Sequence, residues 1–412
     1  MKLLILTQYF PPEVGAPQNR LFELALRLQA KGFDCTVLTA MPNYPQMKIY
    51  EGYQGKKVLY EEISGLKVHR TSIYVPKSKS IFQRLLNYFS FVFSSWKYGR
   101  KKFEKFDFLL VESPPLFLGI TAYVLSRKLK AKMIFNVSDL WPESAEKLGL
   151  VSNKLFLGLA YKLESFLYKK SWLVCGQTQG ICSSISTRFP SKKVYWLPNG
   201  VDLSYYKPFT TPEQWQQVEL WKRKNDLHPG DFVCLYAGIL GHAQGLEVII
   251  NAAQELKEKK HIKFIFLGSG PEKENLKLLT ETLKLKNVFF LDVVSKSEMP
   301  VVVAACSVSI IPLKRLDLFK GAIPSKIFEN LAMEKPILLG VEGEAKELFI
   351  DEGRSGLAFT PEDHRDLAKN IVTLTENPQL CSELGKNARA YVSFRFNREI
   401  IADNFVKQLQ NG

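Results

Sequence analysis

Short apolar runs recur along this chain, and a helix-periodic segment follows most of them. The first is Lys2–Thr7, whose Leu3-Leu4-Ile5-Leu6 core runs into a proline-containing loop. A helix is expected next over Asn19–Lys31, with Leu21, Leu24, Ala25 and Leu28 on one face and Gly32 closing it. Further strands are expected at Asp34–Ala40, Lys67–Thr71, Asp107–Glu112, Lys132–Asn136, Trp172–Gly176 and Val194–Leu197. Strands that are apolar on both faces and alternate with helices demand a mostly parallel sheet covered on both sides. The rhythm breaks over 203–229, a polar stretch with Pro208 and Pro212 and room for a short helix around Glu213–Lys224. It resumes with strands at Phe232–Ala237, Lys263–Gly268, Val288–Leu291, Val308–Ile311 and Pro336–Leu339, then helices at Asp363–Glu376, Gln379–Phe394 and Asn397–Gln410.

A chain of 412 residues is long for one core and comfortable for two. The expected fold is therefore α/β, with two doubly wound Rossmann-like domains. Their expected limits are 1–202 and 230–395, with 203–229 as linker and a helix at 396–412 that could cross back to the first domain. Open α/β sheets bind ligands at strand C-termini, so a cleft between two such domains is the expected active site.

Charge is segregated. Residues 1–200 carry 29 Lys+Arg and 13 Asp+Glu, a net of +16, whereas residues 201–412 carry 27 and 28. The first half should therefore face an anionic partner. Within it, residues 81–103 interleave Phe82, Tyr88, Phe89, Phe91, Phe93, Trp96, Tyr98 and Phe103 with Arg84, Lys97, Arg100, Lys101 and Lys102. Aromatics and cations together suit a lipid headgroup layer; the alternative is an ordinary helix with its rings in the core. Lys154–Lys170 is a second candidate whose periodicity also fits plain packing. The first apolar run is too short for a signal peptide, and no uninterrupted apolar stretch reaches about 18 residues. The six cysteines show no paired spacing and suit reduced thiols in the cytosol. With no metal-ligand cluster in view, metal-independent chemistry is expected.

Several loops carry chemistry. Thr7–Pro17 leaves the first strand with stiff prolines and Gly15, where the backbone permits close approach. Gly238–Gly245, which contains Gly241 and Gln244, and Gly268-Ser269-Gly270-Pro271 both follow buried strands, and their amides suit a diphosphate. Gly321–Glu329 leads a glycine-containing loop into a helix with Lys326 in its first turn and Glu329 three residues on. Lys326 is expected to neutralise a departing phosphate and Glu329 to bind ribose hydroxyls; the alternative is a plain i,i+3 ion pair. In the basic half, Asp139 and Glu143 lie just beyond a strand, and Glu112 ends another. Asp139 is a candidate general base or acceptor-orienting group, or else a helix cap. With Arg20, these three carboxylates form the expected acceptor side.

The ordered set resembles the GT-B-fold retaining glycosyltransferases of family 4. The resemblance spans nearly the whole chain. It rests on Phe10-Pro11-Pro12 with Gly15, Pro198-Asn199-Gly200-Val201-Asp202, Gly268-Ser269-Gly270-Pro271, Lys326 with Glu329 ahead of Leu331–Pro336, and Gly353–Leu357. Asp139–Ser144 is similar to the branch containing bacterial fucosaminyl and colanic-acid-type transferases. The resemblance implies a nucleotide-sugar in the C-terminal domain, UDP-linked, and an acceptor in the N-terminal domain. It gives Glu329 the ribose, and Gly15 and Gly241 the donor phosphates. Three positions depart from the family pattern: Gly321 stands where a first glutamate is usual, Ile239 or Leu240 and Gln244 replace the usual phosphate-binding Arg and Lys, and Ser138 or Asp139 replaces a frequent histidine.

The expected reaction moves a sugar, an N-acetylated or deoxy hexosamine, to a polyprenyl-diphosphate-linked saccharide for O-antigen, capsule or exopolysaccharide. The expected location is cytoplasmic, peripheral on the inner membrane through residues 81–103. A GT-B nucleotide-sugar epimerase is one alternative. A basic nucleic-acid-binding protein is another, although no zinc-finger spacing or RNP-like strand supports it and no nucleic-acid partner is expected.

Overall fold

The computed structural model describes residues 1–76 and 81–411. Two compact units emerge: Met1–Asn199 with Arg398–Gly412, and Gly200–Asn397.

In the first unit the order is β1 (Lys2–Leu6), α1 (Ala16–Ala30), β2 (Asp34–Ala40), β3 (Val58–Ile63), β4 (Leu66–Thr71), α2 (Ile81–Lys102), β5 (Phe108–Ser113), α3 (Leu118–Leu129), β6 (Lys132–Val137), α4 (Glu143–Lys147), α5 (Lys154–Lys170), β7 (Leu173–Gly176), α6 (Gln179–Arg188) and β8 (Val194–Trp196). The second unit follows with α7 (Pro212–Lys224), β9 (Phe232–Ala237), α8 (Glu247–Glu255), β10 (Ile262–Leu267), α9 (Lys273–Thr282), β11 (Val288–Leu291), α10 (Met299–Ala305), β12 (Val308–Pro312), α11 (Lys326–Ala332), β13 (Ile337–Gly340), α12 (Glu344–Lys346), β14 (Gly356–Ala358), α13 (His364–Glu376) and α14 (Pro378–Arg395). The last helix, α15 (Arg398–Gln410), belongs to the first unit.

The first sheet has the order β3-β4-β2-β1-β5-β6-β7-β8 and is parallel except for the β3–β4 hairpin. The alternation along β1 explains its double burial. Leu4 and Leu6 face a core with Phe91, Leu125 and Phe135, while Leu3 and Ile5 face another with Leu21, Leu28 and Phe405. The second sheet, β11-β10-β9-β12-β13-β14, is parallel throughout. In each sheet the order reverses beside its first strand, between β1 and β5 and between β9 and β12. Those reversals open crevices at the strand C-termini.

Some expected limits shift. Helix α1 begins at Ala16 rather than Asn19, because Pro17 sits in the first turn, where its missing N–H breaks no helical bond. Strand β3 carries no apolar run: it is an edge strand with Glu61 and Glu62 in its middle, joined to β4 through Ser64 and Gly65, both at positive φ. Residues 203–229, read as a linker, lie within the second unit. There Thr211 and Gln214 form a capping box for α7, which buries Val218. The carbonyl of Tyr206 accepts from Arg389 at 2.8 Å.

Candidate active site

At the β9–β12 reversal, two glycine loops are laced together. Gly238 N donates to Leu267 O at 2.9 Å, Leu240 N to Ser269 O at 2.9 Å, and Glu272 N to Leu240 O at 3.0 Å. His242 Nδ1 lies 2.8 Å from a Glu272 carboxylate oxygen. The backbones are so close that a Cβ at Gly268 would collide with the Gly238 carbonyl, and one at Gly270 with that of Leu240. Gly268 also has φ +148°, a conformation that favours glycine. Gly241 precedes a short 3₁₀ turn, His242–Gln244, and a Cβ there would lie 2.9 Å from the Gln244 Oε1.

Lys326 projects from the start of α11 onto this lattice. Its Nζ is 3.7 Å from the centroid of the Tyr236 ring. A Cβ on Gly238 would lie only 3.1 Å from the same nitrogen. Burial pushes the Lys326 pKa down to about 7, while the Glu329 carboxylate one turn on pulls it up. Among the described residues no carboxylate or carbonyl is hydrogen-bonded to this ammonium. Gly321 ends the 3₁₀ turn Asp317–Gly321, and nothing lies within 4 Å of where its Cβ would be.

In the first unit, the strand ends nearest the β1–β5 reversal carry a buried polar network. Arg20 of α1 pairs with Glu112 at the end of β5. Its Nη2 also donates to the Ser138 hydroxyl at 2.6 Å. Ser138 donates to the same Glu112 oxygen, and Asn136 Nδ2 donates to the other at 2.6 Å. Glu112 and Asn136 are register partners on β5 and β6, which is why the two side chains meet. Arg20 Nε and Nη1 and Asn136 Oδ1 are buried without a partner among the described residues. So is Gln18 Oε1, which lies against Gly15 at the N-terminus of α1. Asp139, which follows Ser138, accepts from the Ser144 hydroxyl at 2.7 Å. Crowding by the surrounding chain raises its pKa above the usual carboxylate value, with the Ser144 and Leu140 hydrogen bonds acting the other way.

The sequence-derived candidates thus fall into groups. Gly241, Gln244, Gly268, Gly270, Lys326 and Glu329 belong to loops and one helix at the C-terminal edge of the second sheet. Arg20 and Glu112 form one ion pair. Glu143 does not join them: it pairs with Lys147 one turn along α4, at 2.6 Å. Three contributors were missed. Tyr236 is hidden inside a strand, and Asn136 looks like an ordinary strand-end residue; Ser138, which stands where the family often has a histidine, joins the network by donating to Glu112. Glu13 braces the proline loop by accepting from the amides of Phe10, Asn43 and Tyr44. A polar residue inside an otherwise apolar strand was the available signal for Asn136.

Helix α2 carries an exposed apolar stripe, in which Phe89 packs on Phe117 at 4.8 Å between ring centroids. Phe82 is 69% exposed and Phe93 59%, with Leu86 and Phe89 between them at three- and four-residue spacing. Arg100 lies over the Trp96 ring at 4.7 Å. The opposite face supplies Phe91, fully buried. Leu155 and Leu159 of α5 are exposed too. Among the described residues no helix is long and apolar enough to cross a membrane, and no group of three or more His, Cys, Asp or Glu is placed to hold a metal.

Residues 18–205 match the family described as Glycosyltransferase Family 4, and residues 217–391 match Glycosyl transferases group 1. The chain belongs to the GT-B-fold glycosyltransferases of family 4. The protein is therefore a glycosyltransferase, rather than an epimerase or a nucleic-acid-binding protein. An Escherichia coli protein named as a colanic acid biosynthesis glycosyl transferase, WcaI, is 23% identical over the full length of both chains. The D-rhamnosyltransferase WbpZ of Pseudomonas aeruginosa is 25% identical over 58% of this chain and 60% of its own. The glycosyltransferase fold superposes on HepE of Anabaena, solved in complex with UDP-glucose, with a TM-score of 0.73 at 18% identity and full coverage of both chains.

Proposed function

We propose that this glycosyltransferase moves a sugar from a UDP-sugar to a polyprenyl-diphosphate-linked saccharide, with retention, during synthesis of a bacterial surface polysaccharide. The observation that carries the donor side is the Lys326 ammonium held beside two interlocked glycine loops. Backbone amides and one cation in a partly dry site suit a diphosphate that gains charge as it leaves. HepE was solved with UDP-glucose, and WcaI is named for colanic acid biosynthesis; these names support UDP as the nucleotide and a surface polysaccharide as the product. The transferred sugar is an N-acetylated or deoxy hexosamine in this reading.

The acceptor hydroxyl attacks the anomeric carbon on the face from which the diphosphate departs. The new glycosidic bond forms as the bond to phosphate breaks, and a phosphate oxygen receives the hydroxyl proton. Lys326 and the loop amides stabilise the developing phosphate charge. Glu329 accepts from the ribose, and Gly321 leaves room beside the sugar. Asp139 orients the acceptor, with its raised pKa suiting a group that shares a proton; the Arg20–Glu112 pair holds Ser138, the residue before it, in place. The apolar stripe of α2, with its basic neighbours, rests on the cytoplasmic leaflet of an anionic inner membrane, where a lipid-linked acceptor is presented.

A thermal-shift panel of UDP, GDP, ADP and CMP tests the donor class, because a ligand of the folded state raises its apparent stability. A rise with UDP and a raised donor KM for Lys326→Ala and Glu329→Ala support the assignment. A rise with GDP alone changes the nucleotide. No rise with any nucleotide, and no transfer from any nucleotide-sugar, overturns it.

A further inference from the structure

We infer that Tyr236 is a positioning residue for Lys326, its ring seating the ammonium and its hydroxyl fastening the glycine loop that the ammonium faces. The inference rests on the donor-phosphate reading of Lys326. Tyr236 is the penultimate residue of β9 and is buried almost completely. Its ring lies 3.7 Å from the Lys326 Nζ, close for a cation over an aromatic face. Its hydroxyl donates to Ile239 O at 2.6 Å, which fixes the backbone just beyond Gly238. The ring also neighbours Phe266, its register partner on β10, at 6.2 Å between centroids. One residue therefore touches both the cation and the loop opposite it.

The choice of an aromatic seat has a chemical consequence. A carboxylate would hold a buried ammonium more firmly, but it would neutralise the charge and occupy its N–H donors. A ring face attracts the ammonium through its quadrupole and takes none of its hydrogen-bonding capacity. The three N–H bonds stay available for phosphate oxygens. The gap at Gly238, where a Cβ would lie 3.1 Å from Nζ, keeps the side of the ammonium facing the loop clear. Such a lysine is arranged in advance of its ligand, so less ordering remains to be done on binding.

Stepwise fluorination of the ring tests this in the full-length protein without emptying the core. Position 236 is changed to Phe, then to 3,5-difluoro- and 3,4,5-trifluorophenylalanine, and UDP affinity is measured by calorimetry, with and without Lys326→Met. Tyr236→Phe keeps the ring and is expected to stay within about threefold of the parent, since the lost hydroxyl bond acts on the loop alone. The trifluoro ring is expected to weaken UDP by about thirtyfold, the equivalent of ~2 kcal/mol for a desolvated cation–π pair. In the Lys326→Met background the series should be flat. A flat series with Lys326 present, while Lys326→Met still weakens UDP, overturns the positioning role and leaves the donor reading standing. Tighter UDP binding on fluorination overturns it as well, because the ring would then be competing with phosphate. UDP affinity indifferent to Lys326→Met overturns the donor reading itself.

Discussion

A lysine whose proton is loosely held near neutrality makes donor binding answer to pH. Burial depresses the Lys326 pKa to about 7, with Glu329 opposing and the Tyr236 ring adjoining. The ammonium is therefore present below that value and lost as pH rises through it. UDP affinity should fall between pH 7 and 9, by up to about tenfold per pH unit, and Lys326→Met should flatten the profile. Calorimetric titration at fixed ionic strength checks this. The Arg20–Glu112 pair obeys a different rule. Each partner is less than a tenth exposed, so removing one leaves the other charged and dry. Glu112→Ala should cost about 3–5 kcal/mol in urea unfolding, whatever the acceptor does. At this scale Lys326 and Glu329 stood out as candidates because they follow a glycine-containing loop into a helix. Tyr236 was not, because a tyrosine inside a buried strand reads as packing until the neighbour above its ring is known. Glu143 was assigned to the acceptor group, and its i,i+4 partner Lys147 in the same short helix went unweighed.

Among the elements, the glycine loops should tolerate the least change. Gly268→Ala adds a Cβ where the Gly238 carbonyl already lies and strains a positive φ. A loss of about 1–3 kcal/mol in stability, with UDP binding weakened in step, is the expected outcome. Helix α2 should divide by face. Phe82→Ser with Phe93→Ser should release the protein from phosphatidylglycerol vesicles while moving stability by no more than about 0.5 kcal/mol. Phe91→Ser, on the buried face, should cost about 3–5 kcal/mol instead. Flotation and urea unfolding on the same variants separate the two faces. The sequence located the aromatic and basic residues of this helix but not their partition, since Phe recurs on both sides. Strand β3 escaped notice for a related reason: an edge strand needs only one buried face, and Glu61 and Glu62 conceal its periodicity.

For the molecule as a whole, the two-sheet plan was legible because the apolar runs are continuous, which only doubly covered parallel strands require. Less legible was the end of the second unit's authority over the chain. Composition marked 203–229 as a connection, yet the contacts assign it to the second unit and return only α15 to the first. That return is substantial. Phe405 and Leu409 enter the core beside Leu21 and Leu28, Arg27 Nε meets Glu399 at 2.7 Å, and Lys31 meets Asp403 at 2.7 Å. Deleting residues 398–412 should lower the calorimetric transition of the first unit, since each buried apolar side chain is worth about 1.5–3 kcal/mol.

The same arrangement sets a timetable for synthesis. The second unit is spliced into the first, its ends side by side where Val201 bridges Asn397. A ribosome therefore completes β8 and then spends roughly 10–40 s on the inserted residues, at about 5–20 per second, before the final helix appears. Throughout that interval the nascent first unit displays the apolar trough that Phe405 and Leu409 will fill. The inserted unit, whose sequence is continuous, can close over its own core first, so the half made earliest is the half finished last.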